Sequence, residues 1–291
     1  MKYLKRHGKN WHGLTSLSFY FCFAVMALLQ LTGCDYQFRT PLFEAGRKDN
    51  FGPTGLTYNG RDFIMVGSGN MIYTVTDIAL DPYEGEELGA PSGGYRTASD
   101  PINPDRRSIE ICGLAWEGDC CGAGYLWAAD ATNLELIKLN DRGNLLKSLP
   151  SPTDNPSGIA FDGKNLWVSD EVESKIYNVS IDDGHVIRFI DSPIKHPTDL
   201  SWGNKRLWVV GASDYKKEAG TYHTGVRAID IETGNFFGID DIKYITRPTA
   251  MTWADNHLWI GDYNVNRIFM IDPPKETTES KEKSESTKED K

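Results

Sequence analysis

The 291-residue chain is poor in the features that most helical and nucleotide-handling folds need. No segment carries a sustained 3.6-residue apolar period of helical length, which excludes helix bundles and alternating strand–helix architectures. The six histidines are not clustered as metal ligands, and no Gly-rich phosphate loop or recognisable nucleophile motif occurs. Positive charge is in deficit, with 31 Lys and Arg against 41 Asp and Glu and a net charge of −10. An acidic domain repels phosphate backbones, which argues against nucleic acid as a partner. The apolar run Phe19–Leu31 falls short of the ~20 residues that a membrane-spanning helix requires. Aromatic residues are not scarce. They make up 11% of the chain and include eight Trp, ample material for a large core.

The chain divides into zones of different composition. Residues 1–33 hold Lys2, Lys5, Arg6 and Lys9, no acidic residue, and then the apolar run, the layout of a secretory signal. These four cations leave the remainder at −14. Leu31-Thr32-Gly33-Cys34 resembles the lipobox of bacterial lipoproteins in all four positions. The resemblance implies that residues 1–33 are removed and that Cys34 becomes a lipidated, amine-acylated N-terminus. Two or more acyl chains give stable anchoring where one is marginal. The expected location is therefore extracytoplasmic, tethered to a bacterial membrane on its periplasmic side or at the cell surface. Residues 34–52 lead into a central domain, 53–274. Residues 275–291 are almost entirely Lys, Glu, Ser, Thr and Asp, and are expected to form a solvated, disordered tail.

Within the central domain one phrase occurs five times: Pro53-Thr-Gly-Leu-Thr-Tyr58, Ile111-Cys-Gly-Leu-Ala-Trp116, Pro156-Ser-Gly-Ile-Ala-Phe161, Pro197-Thr-Asp-Leu-Ser-Trp202 and Pro248-Thr-Ala-Met-Thr-Trp253. Four copies are followed by a Leu-Trp pair, at Leu126, Leu166, Leu207 and Leu258, while the first has Phe63-Ile64-Met65 there. A repeat of ~40–50 residues built only of strands is the signature of a β-propeller. With Glu110 taken as the proline equivalent in the second unit, the repeats start 57, 46, 41 and 51 residues apart. A four-stranded blade needs about 40 residues, so no interval holds two blades. The expectation is an all-β chain forming five blades of four antiparallel strands. Six blades is the alternative, if a degenerate unit lies in the acidic 79–108 insertion. The fifth unit has only three strands before the tail. The alternating Tyr36-Gln-Phe-Arg-Thr40, within Asp35–Leu42, is expected to close the ring as its missing outer strand. Third and fifth positions of the phrase are small except for Asp199, as close packing of inner strands demands, and fourth and sixth positions are large.

The stretch Pro156-Ser-Gly-Ile-Ala-Phe-Asp-Gly-Lys-Asn-Leu-Trp-Val-Ser-Asp170 resembles NHL and YVTN-type propeller repeats, and is similar to the gluconolactonase and streptogramin-lyase propellers. The five-blade count is similar to that of bacterial and plant glutaminyl cyclases. The resemblance covers most of 53–272 and implies the fold. No complete catalytic set from these families maps onto this sequence.

Chemistry is expected on the face shared by the D-to-A and B-to-C connections. Strand B ends there in Asp130, Asp170, Asp214 and Asp262. Four converging carboxylates suit a cation with oxygen ligands such as Ca²⁺. The alternative, and the reading given precedence, is that each caps its turn by accepting backbone N–H bonds. No resident cofactor is expected. Thr54, Cys112, Ser157, Thr198 and Thr249 form a predicted polar ring at the same mouth, beside Asp199, as a ligand-orienting rim or as turn residues. The long connection from Ala212 to Thr224 carries Tyr215, Lys216, Lys217, Tyr222 and His223, a composition suited to a recognition loop. Cys120 and Cys121 are the candidate disulfide, as an adjacent pair. A bridge from Cys112 would have to fold back over about five extended residues, roughly 17 Å, to bring Cα atoms within about 7 Å.

Three functional classes follow, the third being a structural role in envelope assembly. The first is a membrane-anchored lipoprotein whose propeller binds a protein or a small molecule. The second is a propeller enzyme of the lactonase, lyase or glutaminyl-cyclase type, metal-dependent or not, acting at the axial mouth.

Overall fold

The computed structural model describes residues 43–44, 52–67, 71–75, 92–96, 109–119, 123–140, 143–212, 223–264 and 267–276. The expectations for residues 1–33, Cys34, Tyr36–Thr40, Asp214, the Cys120–Cys121 pair and the tail beyond 276 lie outside them.

Twenty strands are present, and no helix occurs among the described residues. β1 is Phe43–Glu44. The first blade comprises β2 (Pro53–Tyr58), β3 (Phe63–Gly67), β4 (Met71–Val75) and β5 (Ser92–Arg96). The second comprises β6 (Ile111–Gly118), β7 (Gly124–Asp130), β8 (Glu135–Leu139) and β9 (Leu145–Pro150). The third comprises β10 (Pro156–Phe161), β11 (Leu166–Asp170), β12 (Lys175–Val179) and β13 (Val186–Asp191). The fourth comprises β14 (His196–Gly203), β15 (Arg206–Ala212), β16 (Thr224–Ile229) and β17 (Phe236–Ile239). The fifth comprises β18 (Pro248–Ala254), β19 (His257–Asp262) and β20 (Arg267–Ile271), and β1 is its outer strand. All strand pairs are antiparallel, in five four-stranded sheets. The innermost strands β2, β6, β10, β14 and β18 contact one another in sequence, and β18 returns to β2. The protein is a five-bladed β-propeller.

The six-blade alternative fails because the innermost strands of five blades already close on one another, with β18 against β2. Within the 79–108 segment, Ser92–Arg96 is the outer strand of the first blade. The ring is closed from the N-terminal side, by Phe43 opposite Ile268 and Glu44 opposite Arg267. Register also corrects the equivalence taken in the second unit. Ile111 faces Asp130 as Pro156 faces Asp170, so Ile111 and not Glu110 holds the proline position. The first two intervals become 58 and 45 residues.

Alternation along the phrase determines the packing. The fourth-position side chains Leu56, Leu114, Ile159, Leu200 and Met251 are all at most 2% exposed. Each such burial stabilises the fold by roughly 2 kcal/mol. Five apolar clusters form, each joining one blade to the next, including the first to the fifth. The hairpins carry suitable turn residues. Asn204-Lys205 and Asp255-Asn256 are two-residue loops with positive φ at both positions, as the tight mirror-image turn requires.

The Leu-Trp pair has a second cause besides burial. Trp127, Trp167, Trp208 and Trp259 are 1–3% exposed, and each indole N–H turns back to the residue that follows the phrase. Trp127 donates to Glu117 Oε2 at 2.5 Å and Trp167 to Asp162 Oδ2 at 2.8 Å. Trp208 donates to the Gly203 carbonyl at 3.0 Å and Trp259 to the Ala254 carbonyl at 3.2 Å. The first blade has no Trp here, and Asn59 instead caps its own turn through the N–H groups of Arg61 and Asp62.

Candidate functional site

Strand-B carboxylates end their strands on the expected face, and each is spent on its own blade. Asp130 Oδ1 accepts from the N–H groups of Glu110, Thr132 and Asn133 at 3.1–3.2 Å, and Oδ2 accepts from the Asn133 side chain at 2.7 Å. Asp170 Oδ1 accepts from the N–H groups of Val172 and Glu173 at 2.7 and 2.6 Å, and Oδ2 from the Thr153 hydroxyl. Asp262 Oδ2 accepts from Thr246 and Arg247 N–H at 2.5 and 3.2 Å, and Oδ1 from Asn264 N–H at 2.8 Å. All three are at most 1% exposed. Each ties its B–C turn to the D–A loop that enters the same blade.

Asp214, the expected fourth member, lies outside the described residues. The residue facing Pro197, as Asp170 faces Pro156, is Gly211. A Cβ there would lie 2.1 Å from the His196 carbonyl oxygen, so no side chain fits. The first blade likewise has Gly67 opposite Pro53. The three described strand-B carboxylates are therefore caps on separate blades. Among the described residues no group of three or more His, Cys, Asp or Glu is placed to hold a metal ion.

The second-position ring stitches blades together. Cys112 Sγ donates to the Pro156 carbonyl at 3.0 Å, Ser157 Oγ to the Pro197 carbonyl at 2.7 Å, and Thr249 Oγ1 to the Pro53 carbonyl. In each case the acceptor is the first phrase residue of the next blade. Thr54 and Thr198 instead donate within their own blades, to the Val66 and Val210 carbonyls at 3.5 and 3.3 Å. Cys112 is a free thiol. Burial, and then the Asp199 charge nearby, push that thiol well above its ordinary pKa, so it is not poised as a thiolate nucleophile.

Asp199 departs from the repeat at the propeller axis. It is 0% exposed, although every other third position is Gly or Ala. Its Oδ1 accepts from Leu200 N–H at 2.8 Å and its Oδ2 from Met251 N–H of the fifth blade at 2.6 Å. The N–H of Ile159, in the third blade, donates to it as well. Gly158 is glycine because a Cβ there would meet the Asp199 Cα at 2.4 Å, and Gly113 would place one 3.2 Å from Asp199 Oδ1. The carboxylate thus bonds to the innermost strands of the third, fourth and fifth blades. Burial raises its pKa well above the usual carboxylate range, against the lowering effect of the three N–H bonds. Two residues on, Ser201 Oγ accepts from Trp253 N–H at 2.8 Å, a second link from the fourth blade to the fifth.

His223 lies on the same face, just before β16. Its Nδ1 is 2.8 Å from Asp241 Oδ1 in the D–A loop. That loop also holds Tyr244, 64% exposed, and Arg247, whose guanidinium stacks on Tyr263 at 4.5 Å. Val172, at the tip of the third blade's B–C turn, is 69% exposed. Sequence reasoning singled out His223 but not Asp241, which carries no repeat signal. It noted Asp199 as the exception among small residues, which is the signal for its place, but not the bonds it makes. The indole acceptors Glu117 and Asp162 were also missed, although each follows the phrase directly.

No protein-family model matches the chain, and no curated protein matches it in sequence. Solved structures do resemble it. Myxococcus xanthus glutaminyl cyclase superposes with a TM-score of 0.55 at 15% identity, covering 78% of this chain and 93% of that one. A chain in a nidogen/laminin complex superposes with a TM-score of 0.51 at 17% identity, covering 81% and 87%. A streptogramin B lyase superposes at 0.45 with 14% identity, covering 80% and 97%. At these identities the likeness is one of fold, and this chain shares the β-propeller architecture with the first two.

Proposed function

We propose that this chain is a membrane-tethered, extracytoplasmic lipoprotein whose propeller binds a protein or small-molecule partner on the face formed by its B–C turns and D–A loops. The observation that supports binding over axial catalysis is the buried Asp199 carboxylate. It is fully buried and bonded to backbone N–H groups of three blades, and the strand-B carboxylates Asp130, Asp170 and Asp262 are committed to turn N–H groups, which leaves none of these acids free for catalysis. What the face offers to a partner is exposed apolar and cationic surface at Val172, Tyr244 and Arg247. A similar propeller stands in a complex with laminin, in keeping with a protein-binding use of the fold. Membrane attachment is assigned to lipid on Cys34.

The test has two arms in the native host. Metabolic labelling with a fatty acid, followed by fractionation, should find the wild-type chain lipidated and membrane-bound and Cys34→Ser unlabelled. Cross-linking in envelope vesicles should map to the Val172, Tyr244 and Arg247 face. A Cys34→Ser protein that stays membrane-bound and unprocessed removes the anchor, and cross-links confined to the blade perimeter remove the binding face. The competing enzyme reading has the His223–Asp241 pair in its favour. Turnover of N-terminal glutaminyl peptides or of lactones, abolished by His223→Ala, would establish it instead.

A further inference from the structure

An innermost propeller strand has one edge paired in its sheet and one edge free, and every second N–H on the free edge points away from the sheet. At the fourth phrase position these groups turn to the axis. Leu200 and Met251 N–H reach the Asp199 carboxylate at 2.8 and 2.6 Å, and Ile159 N–H donates to it from the third blade. Leu56 and Leu114 hold the same register in the first and second blades, opposite Met65 and Ala128 as Ile159 is opposite Val168. Gly55, Gly113 and Gly158 precede three of these positions and leave the axis to a ligand. Among the described residues no Lys, Arg or His pairs with the carboxylate; its partners are backbone donors. This is how a site for a planar carboxyl group is built, by converging N–H dipoles in a place that water does not reach, where burial favours the protonated over the charged form.

We propose that the innermost strands form a carboxylate-binding site on the propeller axis, which this chain fills with its own Asp199, and that a free small monocarboxylate occupies it once that side chain is removed. The ligand class is set by size and planarity: formate first, acetate second, with aromatic acids too large. In wild-type protein the bound group is intramolecular and links the fourth blade to the third and fifth.

The experiment uses the full chain and its Asp199→Gly and Asp199→Asn variants, with sodium formate as probe and sodium chloride at equal ionic strength as reference. Glycine suits the backbone there, since three other repeats carry it. In chloride, Asp199→Gly should unfold roughly 5 °C or more below wild type. Formate should restore much of that loss in a saturable manner, while leaving wild type unmoved. Asp199→Asn fills the same volume but sets an amide N–H against a backbone N–H, so it should be lowered in both salts and not rescued. The proposal is overturned if formate raises all three proteins equally, or if it fails to raise Asp199→Gly. Should Asp199→Gly not fold in chloride, folded protein recovered only in formate supports the site. An Asp199→Asn midpoint equal to wild type overturns it in any case.

Discussion

Substituting Asp170 by Ala and by Asn separates a turn-capping carboxylate from a metal-binding one. Asp170 is 1% exposed, and a single oxygen, Oδ1, receives both the Val172 and the Glu173 N–H groups at 2.7 and 2.6 Å. The other oxygen takes the Thr153 hydroxyl. Alanine removes both acceptor oxygens and with them all three bonds. Charge-assisted bonds contribute about 1.5–3 kcal/mol each, but Val172 sits on an exposed tip where water replaces part of the loss. The expected cost is therefore about 2–3 kcal/mol, not the full sum. Asparagine keeps a carbonyl oxygen in the Oδ1 position, and Asn is as good an acceptor as Asp in turns of this kind, so its cost should stay below about 1 kcal/mol. For a domain of this size ~2–4 °C accompanies each kcal/mol, giving a fall of roughly 5–10 °C for Ala and about 3 °C or less for Asn. Circular-dichroism melts read the difference, with and without Ca²⁺. Equal losses for the two variants, or a Ca²⁺-dependent rise in the wild-type midpoint that both abolish, would refute the capping argument.

Asp199 gives a pH prediction. Its folded pKa is raised by burial above the ordinary 3.8, so its contribution is fully present below the unfolded value and is lost as pH rises through the folded one. The stability gap between wild type and Asp199→Asn should therefore be wider near pH 5 than near pH 8, read by denaturant titration at each pH. The titratable neighbour facing it is Cys112, a thiol that burial and Asp199 both hold protonated. Gly203→Ala should destabilise by about 3 kcal/mol, because the new Cβ would fall 2.0 Å from Trp253 Cγ and break the Trp253–Trp208 stack at 5.3 Å. A midpoint within error of wild type would sink that packing argument. Asp162→Ala should cost about 2 kcal/mol in denaturant melts by orphaning the Trp167 indole and two turn N–H groups. A cost as small as that of an exposed-site substitution would show that water replaces these bonds.

Fold and site were legible to different degrees. The phrase repeats at every blade, so blade number, strand order within a blade and the need for an N-terminal closing strand all follow from spacing. The strand-B Asp residues were visible as a series, but the glycine at the same register in the fourth blade was not, because spacing does not reveal register. Only the pairing of Pro197 with Gly211 places the glycine there. The closing strand shows the same limit, since any short extended segment can satisfy one sheet edge and β1 needs only two residues.

By itself the sequence determined the local rules: period-two alternation, a Trp at one place in four of the five blades, small residues where inner strands crowd, and an Asp or Gly at the end of strand B. These are properties of a single hairpin, and each copy states them again. The tertiary structure alone decided what joins copies far apart in the chain. Ser157 finds the Pro197 carbonyl, Thr249 the Pro53 carbonyl, and Asp199 the N–H groups of Ile159 and Met251. Those contacts exist because closing the ring brings five free strand edges to one axis, a condition that no single repeat encodes.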